Sequence, residues 1–211
     1  PLGIDLDAFS PARESEKEKL RSVHGIPKDA FVIGSFQKDG EGWGKGETPK
    51  LIKGPDLFCD VAERIAQKAA LFVLLTGPAR GYVKGRLQKA GIPYRHWYVK
   101  RARDVAQYYR MLDAYVVSSR VEGGPKALLE AQACGVPLVT TDVGMVRDIL
   151  RHGDNALVSP VGDVDGLCDH IMKIMQHPDI RERLVENGLK EVQKYNQKVI
   201  SMRYYEEIYS R

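Results

Sequence analysis

Two glutamates eight positions apart, Glu122 and Glu130, are the side chains whose type and spacing could do chemistry. They bracket the run Glu122-Gly-Gly-Pro-Lys-Ala-Leu-Leu-Glu130. The first stands ahead of a Gly-Gly-Pro turn, and the second lies in the helix that this turn predicts. Proline suits the first helical position, so Gly124-Pro125 reads as a helix start. The backbone N–H groups from Lys126 through Ala127 to Leu128 are then free to face an anion, beside about half a unit of positive charge. A carboxylate takes two hydrogen bonds from vicinal hydroxyls, as a ribose presents them. Glu130 suits that role, and Glu122 suits the hydroxyls of a second sugar across a diphosphate. Read singly, each is equally a solvated carboxylate. Read together, with small residues (Ala127, Ala131, Ala133) allowing close packing, they suit a ligand with both phosphate and hydroxyls, such as a nucleotide-sugar.

Cations stand where such a ligand needs them. Lys53-Gly54-Pro55 opens a helix, and an ammonium there can neutralise a diphosphate. Lys50 lies three residues earlier and can assist. Thr76-Gly77-Pro78 follows a strand and reads as a tight turn or a ligand-facing loop. Val99-Lys100-Arg101-Ala102-Arg103 reads as a solvated basic turn or the frame of a base.

Other chemistries find no pattern. No Gly-x-Gly-x-x-Gly follows the first strand, no phosphate-loop motif occurs, and no serine sits in a nucleophile elbow. The histidines (His24, His96, His152, His170, His177) are scattered along the chain and read as structural or solvated. Cys59, Cys134 and Cys168 lack metal-ligand spacing and read as buried thiols of a reducing compartment. No metal site is expected.

The elements that must position these groups alternate. Strands are predicted at Phe31–Phe36, Leu71–Leu75, Tyr94–Val99, Asp113–Ser119, Pro137–Thr141 and Ala156–Val158. Helices are predicted at Glu14–Val23, Pro55–Gln67, Tyr82–Ala90, Asp104–Met111, 125–134, Asp163–Met175, Asp179–Lys194 and Gln197–Tyr209, with a helical turn at Val146–Leu150. Leu71-Phe-Val-Leu-Leu75 is apolar without alternation, as a strand covered on both faces should be. The pattern argues an α/β fold: a Rossmann-like, doubly wound parallel sheet of about six strands with helices on both faces. Ligands bind such sheets at the carboxyl ends of the strands. The Gly-rich stretch Lys38–Lys50 is the one compositional anomaly, and a loop of that length at a strand end is functional or mobile.

The 211 residues suffice for one domain with a real core. A hydrophobic fraction of 43% with 28% charged residues is that of a globular protein. The net charge of +4 is too mild for a dedicated nucleic-acid binder, though it suits weak attraction to phosphates or an anionic membrane surface. The longest apolar run, Ala69–Leu75, is too short to span a bilayer. The opening Pro1–Pro11 reads as a linker, which suggests a fragment of a longer protein.

Taken together, the run from Glu122 to Glu130 with Ala131-Gln-Ala-Cys-Gly-Val-Pro-Leu-Val-Thr-Thr141 resembles the signature of family-four retaining glycosyltransferases of GT-B fold. The resemblance covers nearly the whole chain. Residues 1–12, with Gly3-Ile-Asp-Leu-Asp-Ala-Phe9, look like the family's interdomain linker, and 13–195 like its Rossmann-like donor domain. Residues 196–211, with Tyr204, Tyr205 and Ile208, look like the helix that packs toward the other domain. The resemblance implies the donor-binding half of a two-domain enzyme of the cytoplasm, with peripheral contact at the inner membrane face left open. Glu130 would hold the ribose, Glu122 the transferred sugar and Lys53 the diphosphate. Gly123, Gly124, Pro125 and Lys126 would approach the sugar and diphosphate. No cofactor is implied beyond the nucleotide diphosphate-sugar donor. The acceptor, a glycan or lipid-linked sugar, would bind the other domain. One departure stands out. Where the family carries an arginine after the glycine of the first strand, this chain has Ser35, and Lys38, Lys45 or Lys50 would have to substitute. Two other readings stay open: the nucleotide-binding half of a GT-B sugar-nucleotide epimerase, and a non-catalytic binding module.

Overall fold

A computed structural model describes residues 3–124 and 126–209. Its frame is a six-stranded parallel sheet: β1 (Phe31–Phe36), β2 (Leu71–Thr76), β3 (Tyr94–Trp97), β4 (Ala114–Val117), β5 (Leu138–Thr141) and β6 (Leu157–Ser159). The order across the sheet is β3-β2-β1-β4-β5-β6. The chain thus winds one way from β1 to β3, then returns past β1 and winds the other way.

Strand alternation builds two cores. Ile33, Val73, Leu75, Val116 and Val139 face one side, with α2 (Pro55–Ala66), α3 (Gly81–Lys89) and α7 (Val164–Gln176) packed over them through Phe58, Val61, Leu87, Leu167 and Ile171. Val32, Leu74, Tyr115, Val117 and Leu138 face the other side, under α4 (Ala106–Tyr109), α5 (Ala127–Ala133) and α6 (Val146–Ile149). The expectation of a sheet covered on both faces is met.

Most boundaries shift by a residue or two, and three of the shifts have clear local reasons. β3 ends at Trp97, not Val99, because its partner β2 ends there too, with Thr76 paired to Trp97, and Gly77 then turns at φ 94°. The helix expected over Asp104–Met111 opens as a 3-10 turn at Ala102–Val105, and α4 proper covers only Ala106–Tyr109. Tight three-residue bonds close it, from Met111 N–H to Tyr108 and Leu112 N–H to Tyr109. β4 starts one residue late because Asp113 is committed to α1 (Glu14–Val23). Its carboxylate accepts from Lys17 Nζ at 2.8 Å and Val32 N at 2.8 Å, and lies 2.8 Å from Arg21 Nη2. Burial alone would raise the Asp113 pKa, but the two cations outweigh it and hold it below the ordinary value.

The opening segment is packed, not a loose strap. Ile4 and Phe9 are buried, and Ile4 pairs with Asn196 just ahead of α9 (Gln197–Tyr209). Two histidines that are remote in sequence do meet: the His152 and His170 rings are 5.2 Å apart. Both serve β6, since Val158 N–H donates to His152 Nδ1 and His170 Nε2 lies 3.3 Å from Val158 O. Among the described residues no helix is long and apolar enough to cross a membrane.

Candidate functional site

The strand order reverses between β1 and β4, and a ligand crevice opens at such a switch point. The loops leaving these two strands are joined to each other. Arg120 and Val121 N–H groups donate to Ile52 O at 2.8 and 3.1 Å, and Ser118 Oγ donates to Gly54 O at 2.7 Å. Gly54 has φ +61°, and a Cβ there would lie 1.8 Å from Ser118 O, so only glycine allows this approach. The Arg120 guanidinium clamps both carboxylate oxygens of Asp56 at 2.8 and 2.6 Å and also Leu51 O.

This junction forces the predicted cation and the first carboxylate together. Lys53 Nζ lies 2.6 Å from Glu122 Oε1. Ser119 Oγ donates to the same oxygen at 2.9 Å, and Ser119 O is itself held by Thr141 Oγ1 at 2.6 Å. Lys53 and Glu122 are both partly exposed, at 25% and 13%, so the pair faces the crevice rather than the core.

Glu130 stands in the first turn of α5, not the second, because the helix begins at Ala127. Tyr109 OH donates to its Oε2 at 3.0 Å. Tyr109 is buried against Phe36, Tyr115 and Phe9, and burial keeps its hydroxyl protonated well above the usual range. Burial also raises the Glu130 pKa, opposed by the Tyr109 hydrogen bond and the Lys126 charge. One carboxylate oxygen is thus fixed by a neutral donor.

The remaining expected residues divide. Gly123, Lys126 and Lys100 are exposed, and Gly124, Ala127, Lys50 and Gly77 are half-buried. Pro125 lies outside the described residues. Gly123 packs beside Gly144, where a Cβ would meet Glu122 O at 2.3 Å. Lys50 opens the short 3-10 turn that ends in Lys53. Gly77 faces the β1 loop, since a Cβ there would meet Gln37 O at 2.6 Å. Val99 packs against the hydrophobic core.

Ser35 requires correction as a ligand-facing group. It is 1% exposed, and its hydroxyl and carbonyl are held by Arg80 at 3.3 and 2.7 Å. Of the lysines offered as substitutes for the missing arginine, Lys38 lies over the Trp43 ring, 3.8 Å from its centroid. Lys45 is docked on α3, its carbonyl accepting from Gly81 N at 2.7 Å.

Sequence reasoning missed three residues. Ser119 positions Glu122, Tyr109 positions Glu130, and Arg80 ties together the loops after β1 and β2. Tyr109 lies 21 positions from its partner and Arg80 lies 45 from Ser35, and no local spacing reveals a contact at that range.

A six-stranded parallel sheet in the order 3-2-1-4-5-6 with helices on both faces defines a Rossmann-like α/β domain. Residues 49–191 match the family model of glycosyl transferases group 1, and the chain belongs to that family. It is 30% identical, over 99% of its length, to 53% of the phosphatidyl-myo-inositol mannosyltransferase of Mycobacterium leprae. It is 29% identical, over 91% of its length, to 54% of the lipopolysaccharide core biosynthesis mannosyltransferase LpsB of Rhizobium meliloti. The chain spans about half the length of these curated relatives. Among solved structures, it superposes on Anabaena HepE in complex with UDP-glucose with a TM-score of 0.82 at 21% identity, covering 99% of this chain and 56% of that one. It also covers the whole of a C-terminal domain of the Francisella tularensis group 1 glycosyltransferase LpcC, with a TM-score of 0.76 at 20% identity over 92% of this chain.

Proposed function

We propose that the chain is the donor-binding half of a retaining glycosyltransferase. It takes a nucleoside diphosphate-sugar whose sugar passes to a glycan or glycolipid acceptor held by another domain. One observation supports the reading: Lys53 and Glu122 pair at 2.6 Å between the loops that follow β1 and β4, where the strand order reverses, and Glu130 is held by Tyr109 in the helix just beyond. The UDP-glucose complex of the structurally similar HepE supports this class of ligand.

In this reading Glu130, with one oxygen bound to Tyr109, accepts from the ribose hydroxyls with the other. Lys53 moves from Glu122 to the diphosphate, and Glu122, kept in place by Ser119, accepts from the sugar. Lys50 is the best placed of the three lysines to add positive charge, because it starts the turn that ends in Lys53. Negative charge grows on the leaving diphosphate as the glycosidic bond breaks. A cation already in place stabilises that charge without reorganisation.

The test is calorimetric titration of the chain with UDP, GDP, ADP and their glucose and mannose conjugates. One base is expected to bind, and Glu130→Ala to weaken it by about 1–3 kcal/mol. Full-strength binding to Glu130→Ala would refute the ribose assignment.

A further inference from the structure

The Gly-rich stretch after β1 is tied to the body of the domain by backbone hydrogen bonds. It folds into a small hairpin in which Gly40 pairs with Pro49 and Glu41 N–H donates to Thr48 O at 2.9 Å. Three sets of contacts pin it over the start of α3. Gly81 and Tyr82 N–H groups donate to Lys45 and Gly46 carbonyls at 2.7 and 2.8 Å. Gly46, at φ +71°, packs so closely on Ala79 that a Cβ would lie 2.2 Å from its carbonyl oxygen. Beneath them the buried Arg80 pairs with the buried Asp39 at 3.1 Å.

The hairpin presents an indole to solvent, with Lys38 Nζ over one face of the ring, 3.8 Å from its centroid. Trp43 is 84% exposed, and Tyr98, across from it, is 65% exposed. The two rings and the segment between them line a cavity of about 340 Å³, with Lys45, Lys84 and His96 on its walls. That volume is at the small end of ligand sites, which run from about 300 to 1,000 Å³. No carboxylate lines the cavity among the described residues, and Asp39 is already matched by Arg80. His96 is pushed below its ordinary pKa, first by burial and also by Lys84 and Arg80. The ionisable side chains on the wall are thus Lys45, Arg80, Lys84, His96 and Tyr98, with no carboxylate among them.

None of Lys53, Glu122 and Glu130 lines this cavity. Residues alternate sides along a strand. Trp97 stacks on Tyr108 at 4.8 Å, and Val99 packs on the same core. His96 therefore faces the opposite side of β3 from Trp97, and Tyr98 follows the last residue of the strand. The cavity wall also holds Ala79, the one described non-glycine residue with positive φ, at 55°. Strain of this kind persists where the surrounding structure holds it, often at binding sites.

From these observations we propose that the Trp43–Tyr98 cavity is a saccharide-binding subsite for an acidic sugar unit, distinct from the donor crevice. The apolar C–H face of a pyranose lies against the indole and phenol rings, and its carboxylate faces Lys45 and Lys84. A neutral sugar would use the rings but leave the ammonium groups unanswered.

The test is titration of the chain with trigalacturonate, followed by tryptophan emission and calorimetry, with maltotriose and UDP as comparisons. Trigalacturonate is expected to quench Trp43 emission. Its affinity should fall about five-fold in each of Trp43→Ala, Tyr98→Ala and Lys84→Ala, with Trp43→Phe restoring most of the loss. Trp43 and Tyr98 are exposed, so these variants keep the fold. UDP should not compete, and Glu130→Ala should bind the trisaccharide unchanged. That last pair separates this proposal from the donor reading, which Glu130→Ala tests through UDP alone. The proposal is overturned if trigalacturonate fails to bind, or if Trp43→Ala and Tyr98→Ala bind it normally. Equal binding of maltotriose overturns the acidic ligand. Displacement by UDP, or weaker UDP binding to Trp43→Ala, assigns the cavity to the donor and overturns a separate site.

Discussion

Glu130 shows how a binding group can weaken the protein that carries it. Burial raises its pKa in the folded chain, so ionising it opposes folding. A group with a raised pKa contributes stability while protonated, and that contribution is lost as pH rises through the folded value. The protonated form cannot accept with both oxygens. Glu130→Gln keeps an acceptor for Tyr109 and removes the charge. It should therefore raise the thermal midpoint of the unliganded chain at neutral pH. The gain should fade as the pH falls through the carboxylate range, where the wild-type residue is neutral too. Nucleotide affinity should drop in the same variant. Thermal scans from acid to neutral pH check this, and an unchanged midpoint at neutral pH would count against a buried charge.

At the scale of elements, two contacts decide how the site is assembled. Gly54 lets the turn before α2 touch the loop after β4. Gly54→Ala must either move Ser118 O, 1.8 Å from the new Cβ, or change a φ of +61°. The expected cost is at least ~1 kcal/mol in urea unfolding, with loss of nucleotide binding as Lys53 leaves Glu122. The Arg80–Asp39 pair is the second contact. Burial pushes the Asp39 carboxyl up, and the Arg80 charge opposes this. Breaking a buried pair from one side costs roughly 3–5 kcal/mol, while replacing both partners by apolar residues costs far less. Arg80→Met should therefore destabilise strongly, and Arg80→Met with Asp39→Leu should recover much of the loss. Urea midpoints of the single and double variants give the comparison. Equal loss in both would mean that Arg80 acts through its bonds to Ser35, Gln37 and Thr76 carbonyls rather than through Asp39.

The whole molecule spans about half of the relatives it matches. In the proposed reading the acceptor is held elsewhere, so the chain alone should bind a nucleotide-sugar and transfer no sugar to an added glycan. Incubation with radiolabelled donor and acceptor reads this directly, and measurable transfer would show that the chain holds its own acceptor site. α9 bears on the same question. It reaches the body through Ile200 and the Lys198–Asp7 pair, and leaves Met202, Tyr204 and Ile208 exposed. In the proposed reading these exposed side chains face another domain.

Much of this protein could be read from the chain order. Apolar runs without alternation marked strands covered on both faces, and glycine and proline marked where they stop. Those are local steric preferences, so α1, β1 and α9 fell where the residues indicated. The family signature from Glu122 to Thr141 was legible for the same reason: it is contiguous. Contacts between distant segments were not. That Lys53 meets Glu122, that Tyr109 holds Glu130, and that Arg80 takes the hydroxyl of Ser35 all depend on which loops the parallel sheet brings side by side. So does the hairpin: its glycines suggested mobility, but in the fold they allow the close backbone approach that pins it. Chain order thus marks the elements, the class of fold and the candidate carboxylates and cation. Only the tertiary structure decided which partner each polar group has, because a buried hydrogen bond or ion pair is chosen by distance in space and not by separation along the chain.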